Sequence, residues 1–423
     1  MKLNLGKDLY IKGRIGWRGL SKDEYLENSE YRIINATALE DGYVNLNKCG
    51  YISKERYDES PEIMLKENDI LISKDGTLGK IGYVKNLHSP CTVASGIFVL
   101  RNTTDFLNFD YLYHVLKSNI FKNFIFRNKA LGSTINHLYQ RDLENFEIEL
   151  PDLETQNKIA NILNELDEKI EINNQINSEL ESLAKTIYDY WFLQFEFPNE
   201  EGNPYKSSGG KMVWNKELKR EFPDGWKSLK LKDIESNIVT GKTPSTKDDS
   251  NFNGSIPFIT IGDIRNYLYI LKTEQTLTDK GANSQKNKFI PENSICVSCI
   301  ATPGLIGITS KESQTNQQIN SIVIKNTFNR IFLLFSLQNY FKFNGGAKTG
   351  NTFKNMNKGE FENIPILYPD IDVLIEFNEK ISNLFEQIKN NSEQNQELES
   401  LRDFLLPLLM NGQVSFKEGE ENA

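Results

Sequence analysis

Long apolar runs are missing from this chain. The longest nearly pure stretches, such as residues 331–337, fall far short of the roughly 18 residues needed to cross a bilayer, and the N-terminus lacks the apolar segment of a secretory signal. A cytoplasmic protein with no membrane partner is therefore expected. Cysteine is scarce too: Cys49, Cys91, Cys296 and Cys299 are too few for a disulfide scaffold and read as reduced thiols. Only three histidines occur (His88, His114 and His137), all in the first half, which argues against a histidine-rich metal site. What remains is an ordinary globular composition, with 38% hydrophobic and 25% charged side chains. A chain of 423 residues suits two to four domains, at about 100–200 residues each.

Catalytic signatures are equally scarce. Lys74-Asp75-Gly76-Thr77-Leu78-Gly79-Lys80 resembles a phosphate loop, but Lys74 stands where the Walker pattern needs glycine and Ile81 where it needs Ser or Thr. A tight strand-to-strand turn is the expected structure. Cys296 and Cys299 form C-x-x-C without a second pair, so no four-ligand zinc site can be built. Asn203-Pro204-Tyr205 is one proline short of the signature of amino-methyltransferases and lies in a Gly/Ser/Pro-rich linker. A nuclease-like pattern can be drawn from Pro151-Asp152 to Asp167-Glu168-Lys169, yet Asp167 and Lys169 fall between apolar helix positions and read as outer-face charges. No active site is expected on this chain.

Charge gives the first positive signal. The net charge is −9, but residues 1–150 carry 20 basic and 20 acidic groups, 151–228 carry 9 and 15, 229–369 carry 16 and 11, and 370–423 carry 4 and 12. A neutral or basic block is followed by an acidic one, twice. The alternation reflects an internal duplication. Residues 67–73 align with 292–298 at an offset of 225, as do Thr77, Gly79, Ile81 and Gly82 with Thr302, Gly304, Ile306 and Gly307. Further on the offset is 218: Gly132, Thr134, Glu144, Asn145, Ile148, Pro151 and Asp152 meet Gly350, Thr352, Glu362, Asn363, Ile366, Pro369 and Asp370. Residues 179–183 and 397–401 are identical.

Each block reads as mixed α and β. Strands are predicted at 70–73, 81–84, 97–100 and 146–150, with counterparts at 295–298, 306–309, 322–324 and 364–368; buried helices are predicted at 111–126 and 331–343. After each block a helix sustains about five heptads without glycine, with Ile159, Leu163, Leu166, Ile170, Asn173, Ile176, Leu180, Leu183, Ile187 and Tyr190 on one seam. The other seam runs through Leu374, Phe377, Ile381, Leu384, Ile388, Asn391, Asn395, Leu398, Leu401, Leu405 and Leu408. Asn173 and Asn391 are repeat-equivalent; a buried asparagine fixes coiled-coil register, so the two helices are expected to pair with each other. Ile162, Phe385, Phe404 and Leu409 on the helices, and Trp191, Phe192, Phe195 and Phe197 after the first, lie off the seam and are expected to form exposed apolar patches for a partner.

Binding chemistry is concentrated in two acid-free stretches at equivalent positions. Residues 121–141 contain Lys122, Arg127, Lys129, Thr134 and Arg141; residues 341–359 contain Lys342, Lys348, Thr352, Lys354 and Lys358. Lysine and arginine interleaved with aromatic, amide and hydroxyl side chains suit phosphate contacts plus readout of base edges. These ten residues are the candidate DNA-binding set.

At this point the chain resembles the specificity (S) subunit of type I DNA restriction–modification systems over essentially its whole length. The most specific part is the middle. Tyr190-Trp191-Phe192, Phe195 and Phe197, then 202–213 (GNPYKSSGGKMV) and Phe222-Pro223-Asp224-Gly225-Trp226, are similar to the family's central conserved region. Gly241-Lys242-Thr243-Pro244-Ser245 and 254–259 are similar to the opening of a recognition domain; residues 13–19 (GRIGWRG) form a variant opening in the first copy. The resemblance implies a non-catalytic subunit whose two blocks each read one half of a split, asymmetric DNA site. It implies as partners double-stranded DNA, modification (M) subunits that methylate adenine with S-adenosylmethionine, and restriction (R) subunits that use ATP and Mg2+ to translocate and cut. No cofactor would be bound by this chain itself. The alternatives are the specificity subunit of a related bipartite system with a fused methylase–nuclease, or a coiled-coil scaffold that binds no DNA.

The fold expected is α+β. Two tandem-repeat α/β target-recognition domains, residues 1–152 and 229–369, are each followed by a long helix, 153–195 and 370–423, the latter including a C-terminal tail. Residues 196–228 form a central linker, and the two helices pair as an antiparallel coiled coil.

Overall fold

The computed structural model describes residues 1–14, 19–40, 42–128, 137–215, 220–265, 267–345 and 355–414. Part of the variant opening of the first copy (residues 15–18) and five candidate DNA-binding residues, Lys129, Thr134, Lys348, Thr352 and Lys354, lie outside them. The chain divides into two compact units, Met1–Ile170 with Glu397–Ala423, and Glu171–Gln396. Each unit thus takes one α/β block, part of one long helix and part of the other.

In the first unit, β1 (Leu9–Gly13), β2 (Ile70–Ser73), β3 (Ile81–Tyr83) and β4 (Ile97–Asn102) pair in the order β1-β4-β2-β3, continued by 42–44 and 39–40. In the second unit, β5 (Ile238–Thr240), β6 (Ile295–Ser298), β7 (Ile306–Thr309) and β8 (Ile319–Ile322) pair as β5-β8-β6-β7, continued by 269–270. The order is the same in both, and in both the outer strand joins in parallel, Tyr43 opposite Tyr83 and Tyr269 opposite Ile308. A two-stranded ribbon also recurs, 2–4 with 147–149 and 227–230 with 365–368. Central strands β2 and β6 are buried at every position, as strands covered on both faces must be. Equivalent asparagines, Asn68 and Asn293, take the left-handed φ of 66° and 65° just before them.

Two predicted elements shift. The strand expected at 322–324 is 319–322, because pairing with β6 sets Ile295 against Ile322 and Ser298 against Ile319. The single helix expected over 111–126 is two, α1 (Phe109–Lys117) and α2 (Asn119–Asn128). Ser118 divides them: its hydroxyl donates to Val115 O at 2.7 Å and accepts from Ile120 N at 3.2 Å, competing with the helical ladder. In the second copy α4 (Asn329–Gly345) runs through.

The long helices are α3 (Leu153–Tyr188) and α5 (Ile371–Met410), with a π-helical turn at Asp189–Leu193 following the first. They pack together, and partners run in opposite directions. In the first unit Asp167 meets Arg402 at 2.6 Å, while Ile159 and Leu163 share a core with Leu406 and Leu409. In the second, Asn173 Nδ2 donates to Asn395 Oδ1 at 2.8 Å and Asn391 Nδ2 to Asn177 Oδ1 at 2.9 Å. Under the 218 offset these two asparagine pairs are images of one another.

Three expectations are corrected here. The inward-facing stripe differs from the expected seams by one position in places: it leaves Leu183 and Leu401 exposed and passes through the next residues, Ala184 and Arg402. Asp167 also lies inside: only 5% exposed, it is no outer-face charge. Finally, Trp191, Phe192, Phe195 and Phe197 are buried in the second unit's core. Phe192 meets Phe377 edge-on at 4.7 Å between ring centroids, and Phe197 stacks on Trp226 at 5.3 Å. Phe385 and Leu409 are buried as well; of the predicted patch residues Phe404 stays fully open, at 65% exposure.

Candidate nucleic-acid interface

The strand order brings matching loops to one end of each main sheet. In the second unit β5 and β6 finish there and β8 and β7 begin. The turn between β6 and β7 is tied by Ser298, whose hydroxyl donates to Thr302 O at 2.5 Å and accepts from Leu305 N at 2.9 Å. Ser73 ties the first copy's turn identically, donating to Thr77 O at 2.5 Å and accepting from Lys80 N at 2.8 Å. Both serines are fully buried, so these bonds form in a dry setting and hold the turns rigid. Gly76 turns with φ 70°; Ala301, its equivalent, adopts φ 65° without glycine's freedom.

Each acid-free stretch is anchored to its turn at the same point. Leu138 N donates to Lys74 O at 2.9 Å, and Met356 N donates to Cys299 O at 2.8 Å. The sequence-predicted residues that are described fall on elements adjoining one sheet end per unit. Lys122 and Arg127 project from α2, whose Ile125 packs on Gly79 of the turn. Lys342 projects from α4 beside Phe341, which packs on Gly304. Arg141 lies 5.2 Å from the Tyr139 ring, Tyr139 meets His137 edge-on at 4.7 Å, and His137 pairs with Asp75 of the turn. Lys358 is tied on its own helix to Glu362 at 3.3 Å, so part of its charge is already answered.

The side chains lining the two ends differ. The first offers Lys74, half-buried over the Phe98 ring at 4.8 Å, with its pKa lowered by burial, and the Asp75–His137 pair. At the equivalent positions the second has Cys299, Ile300 and Asn355. Cys299 accepts from Asn320 Nδ2 at 3.2 Å, and burial pushes its thiol up to about 11. Among the described residues no three His, Cys, Asp or Glu side chains gather as metal ligands. No helix among them is long and apolar enough to cross a membrane.

A third loop lies at the second sheet end; the sequence resemblance marks residues 241–245 as the opening of a recognition domain but does not place Lys242, Lys247 or Gln317 among the DNA-binding candidates. Residues 241–247 leave β5 and lie against 315–318, forming an open groove lined by Lys242, Thr243, Ser245, Lys247 and Gln317 among others. A family model for the type I restriction modification DNA specificity domain matches residues 15–182 and again 223–400. The chain belongs to the type I restriction–modification specificity-subunit family.

The HindI specificity subunit of Haemophilus influenzae is 31% identical over 404 residues, covering 83% of this chain and 87% of that one. The MjaIX specificity subunit of Methanocaldococcus jannaschii is 28% identical over 379 residues, covering 84% and 82%. A solved S subunit from M. genitalium aligns over 99% of this chain and 96% of its own with a TM-score of 0.49 and 16% identity. As a specificity subunit, the chain is a non-catalytic DNA-recognition component of its complex, with the recognition domain present twice. That accounts for a chain with two matched sheet ends and no catalytic constellation in its sequence.

Proposed function

We propose that this specificity subunit reads a split, asymmetric DNA site, one half with each sheet end. Partner M subunits would then methylate adenine with S-adenosylmethionine, and R subunits would translocate and cut with ATP and Mg2+. The observation that carries this reading is one scaffold bearing two sets of side chains. Strand order, serine-tied turn and anchor are repeated, while Lys74, Asp75 and His137 are replaced by Cys299, Ile300 and Asn355. Identical framework with different chemistry is what reading two unlike half-sites requires, since base readout depends on the side chains presented. Lys122, Lys129, Arg127, Arg141, Lys342, Lys348, Lys354 and Lys358 supply phosphate contacts in this scheme, and Thr134 and Thr352 hydroxyl contacts. Sequencing of methylated bases in the host, with and without the gene, tests it. A bipartite motif with unlike halves should vanish on deletion; a methylome that does not change would overturn the reading.

A further inference from the structure

We infer that the loop 241–247 together with Gln317 is a rigid DNA-reading element of the second domain, with Lys242 and Lys247 on backbone phosphates and the Thr243–Gln317 pair on a base edge. This rests on the DNA-recognition reading above and assigns it residues outside the acid-free stretches.

Gly241 leaves no room for a side chain: a Cβ there would collide with the carbonyl oxygens of Thr315 and Asn316. Gly241 N donates to Ile319 O at 3.1 Å and Lys242 N to Thr315 O at 2.9 Å. Two buried amides then clamp the loop from beneath. Gln285 Nε2 donates to Lys242 O at 2.7 Å and to Gln314 Oε1 at 2.8 Å, and Asn251 Nδ2 donates to Ser245 O at 3.0 Å. Gln285, Gln314 and Asn251 are all at least nine-tenths buried. Burying an amide costs free energy unless its bonds are made, and here those bonds fix an exposed loop and not a core. A scaffold that spends buried polar groups on one loop conformation is preorganising what the loop presents.

What it presents is polar and cationic. Lys242, Ser245, Thr246, Lys247 and Gln317 are exposed, and Pro244, the one apolar side chain of the groove, is buried. Among the described residues neither Lys242 nor Lys247 forms an ion pair, while Asp248, the next acid along, is held by Lys280 at 2.8 Å and by Ser250. Thr243 Oγ1 donates to Gln317 Oε1 at 2.6 Å. An amide fixed at its oxygen keeps an NH2 for an acceptor such as purine N7 and a second lone pair for an adenine amino group, the pairing by which glutamine reads adenine. The loop also shares its sheet end with the anchor of the acid-free stretch, since Cys299 donates its N–H to Gln318 O at 2.8 Å and accepts from Met356 N. Two lysines, a fixed amide and no exposed apolar surface match a duplex groove and not a protein partner.

The test uses the complex with its cognate M subunits and measures affinity for cognate and random duplexes from 50 to 200 mM salt. Lys242→Ala with Lys247→Ala should weaken both duplexes and lower the slope of log affinity against log salt by about 1.8, two phosphates at about 0.9 each. Lys242→Arg with Lys247→Arg should keep the slope. Gln317→Ala should cost on the order of ten-fold on the cognate duplex and nothing on the random one. These side chains are exposed, so folding is not at stake. If the wild-type complex binds with a normal salt slope and the alanine pair matches it, the loop assignment is overturned and the recognition reading stands. If the wild-type complex does not bind duplex DNA, both fall.

Discussion

Asp167 and Arg402 meet at 2.6 Å across the paired helices, and the two residues that the duplication sets in their place in the second unit are Phe385 and Ala184. One copy buries a charge network where the other buries an aromatic core. Asp167 also accepts from Lys117 at 2.9 Å and lies 3.9 Å from His114 Nδ1. Burial alone would raise its carboxyl, but Lys117 and Arg402 outweigh that and hold it below the usual carboxylate range. Removing one partner of a buried pair costs about 3–5 kcal/mol, whereas replacing both by apolar groups is often neutral. Arg402→Ala should therefore destabilise the protein toward the lower end of that range, since Lys117 remains. Asp167→Leu with Arg402→Met should recover most of the loss. Thermal unfolding of the three proteins gives the answer, and equal melting temperatures would show that the pair carries no weight.

The same cluster sets a pH dependence. His114 is buried, and burial lowers its pKa to about 4 against the pull of Asp167, with Asn164 at 2.8 Å and Lys117 and Arg402 also facing it. An unfolded histidine takes up its proton near 6.5, so between pH 6.5 and 4 the unfolded state binds a proton that the folded state refuses. Stability is full above pH 6.5 and falls as the pH drops through that window, by about 2–3 kcal/mol at pH 4.5, at about 1.36 kcal/mol per unit. Asp167, with its pKa lowered, stays ionised there and adds its own loss only in stronger acid. His114→Phe should flatten the dependence between pH 7.5 and 4.5 in denaturant titrations; a slope unchanged by the substitution would locate the titrating group elsewhere.

Much of this fold was legible in the sequence. The 225 and 218 offsets find the duplicated sheet, because a repeated turn, Ser73 to Lys80 and Ser298 to Leu305, needs the same small residues to close. The asparagines of the seam were legible for the same reason: polar residues at regular apolar positions must find each other. What was not legible depends on contacts distant in sequence. Asp167 reads as a surface charge until Arg402 and Lys117 arrive from other elements. Trp191 and Phe192 read as an exposed patch until Phe332 and Phe377 cover them. At the candidate interface, the acid-free stretches announce themselves by composition. The groove at 241–247 does not, because the amides that shape it, Gln285 and Asn251, are ordinary polar residues until their bonds are seen.

The asparagine pairs should hold register at the expense of stability. Asn173, Asn177, Asn391 and Asn395 form two reciprocal contacts inside the second unit, and Asn173 is 1% exposed. Buried amides of this kind specify one alignment of a coiled coil and are less stable there than leucine. Replacing all four by leucine should raise the melting temperature while broadening the distribution of oligomers seen by native mass spectrometry. Asn173→Leu alone should instead destabilise by about 1–3 kcal/mol, because it strips a partner from a buried amide. A quadruple variant that melts lower than the parent would mean that these bonds stabilise more than leucine packing would.

Docking of M subunits should use the apolar positions that the paired helices leave uncovered. Leu183 and Leu401 are repeat-equivalent and 49% and 44% exposed, and so are Leu153 and Ile371 at 41% and 54%. Large aliphatic side chains left open at matching points of a duplicated chain mark two equivalent contact patches, each suited to one copy of the same partner. The buried stripe passes through Ala184 and Arg402, so the neighbouring leucines are not needed to pair the helices. Leu183→Asp should therefore fold normally and reduce the complex from two M subunits to one, as should Leu401→Asp. The double variant should bind none. Native mass spectrometry of co-expressed subunits counts the copies directly. Two M subunits retained on the double variant would show that these leucines lie outside the docking surface, and equal loss of both copies in either single variant would show that the two patches do not act independently.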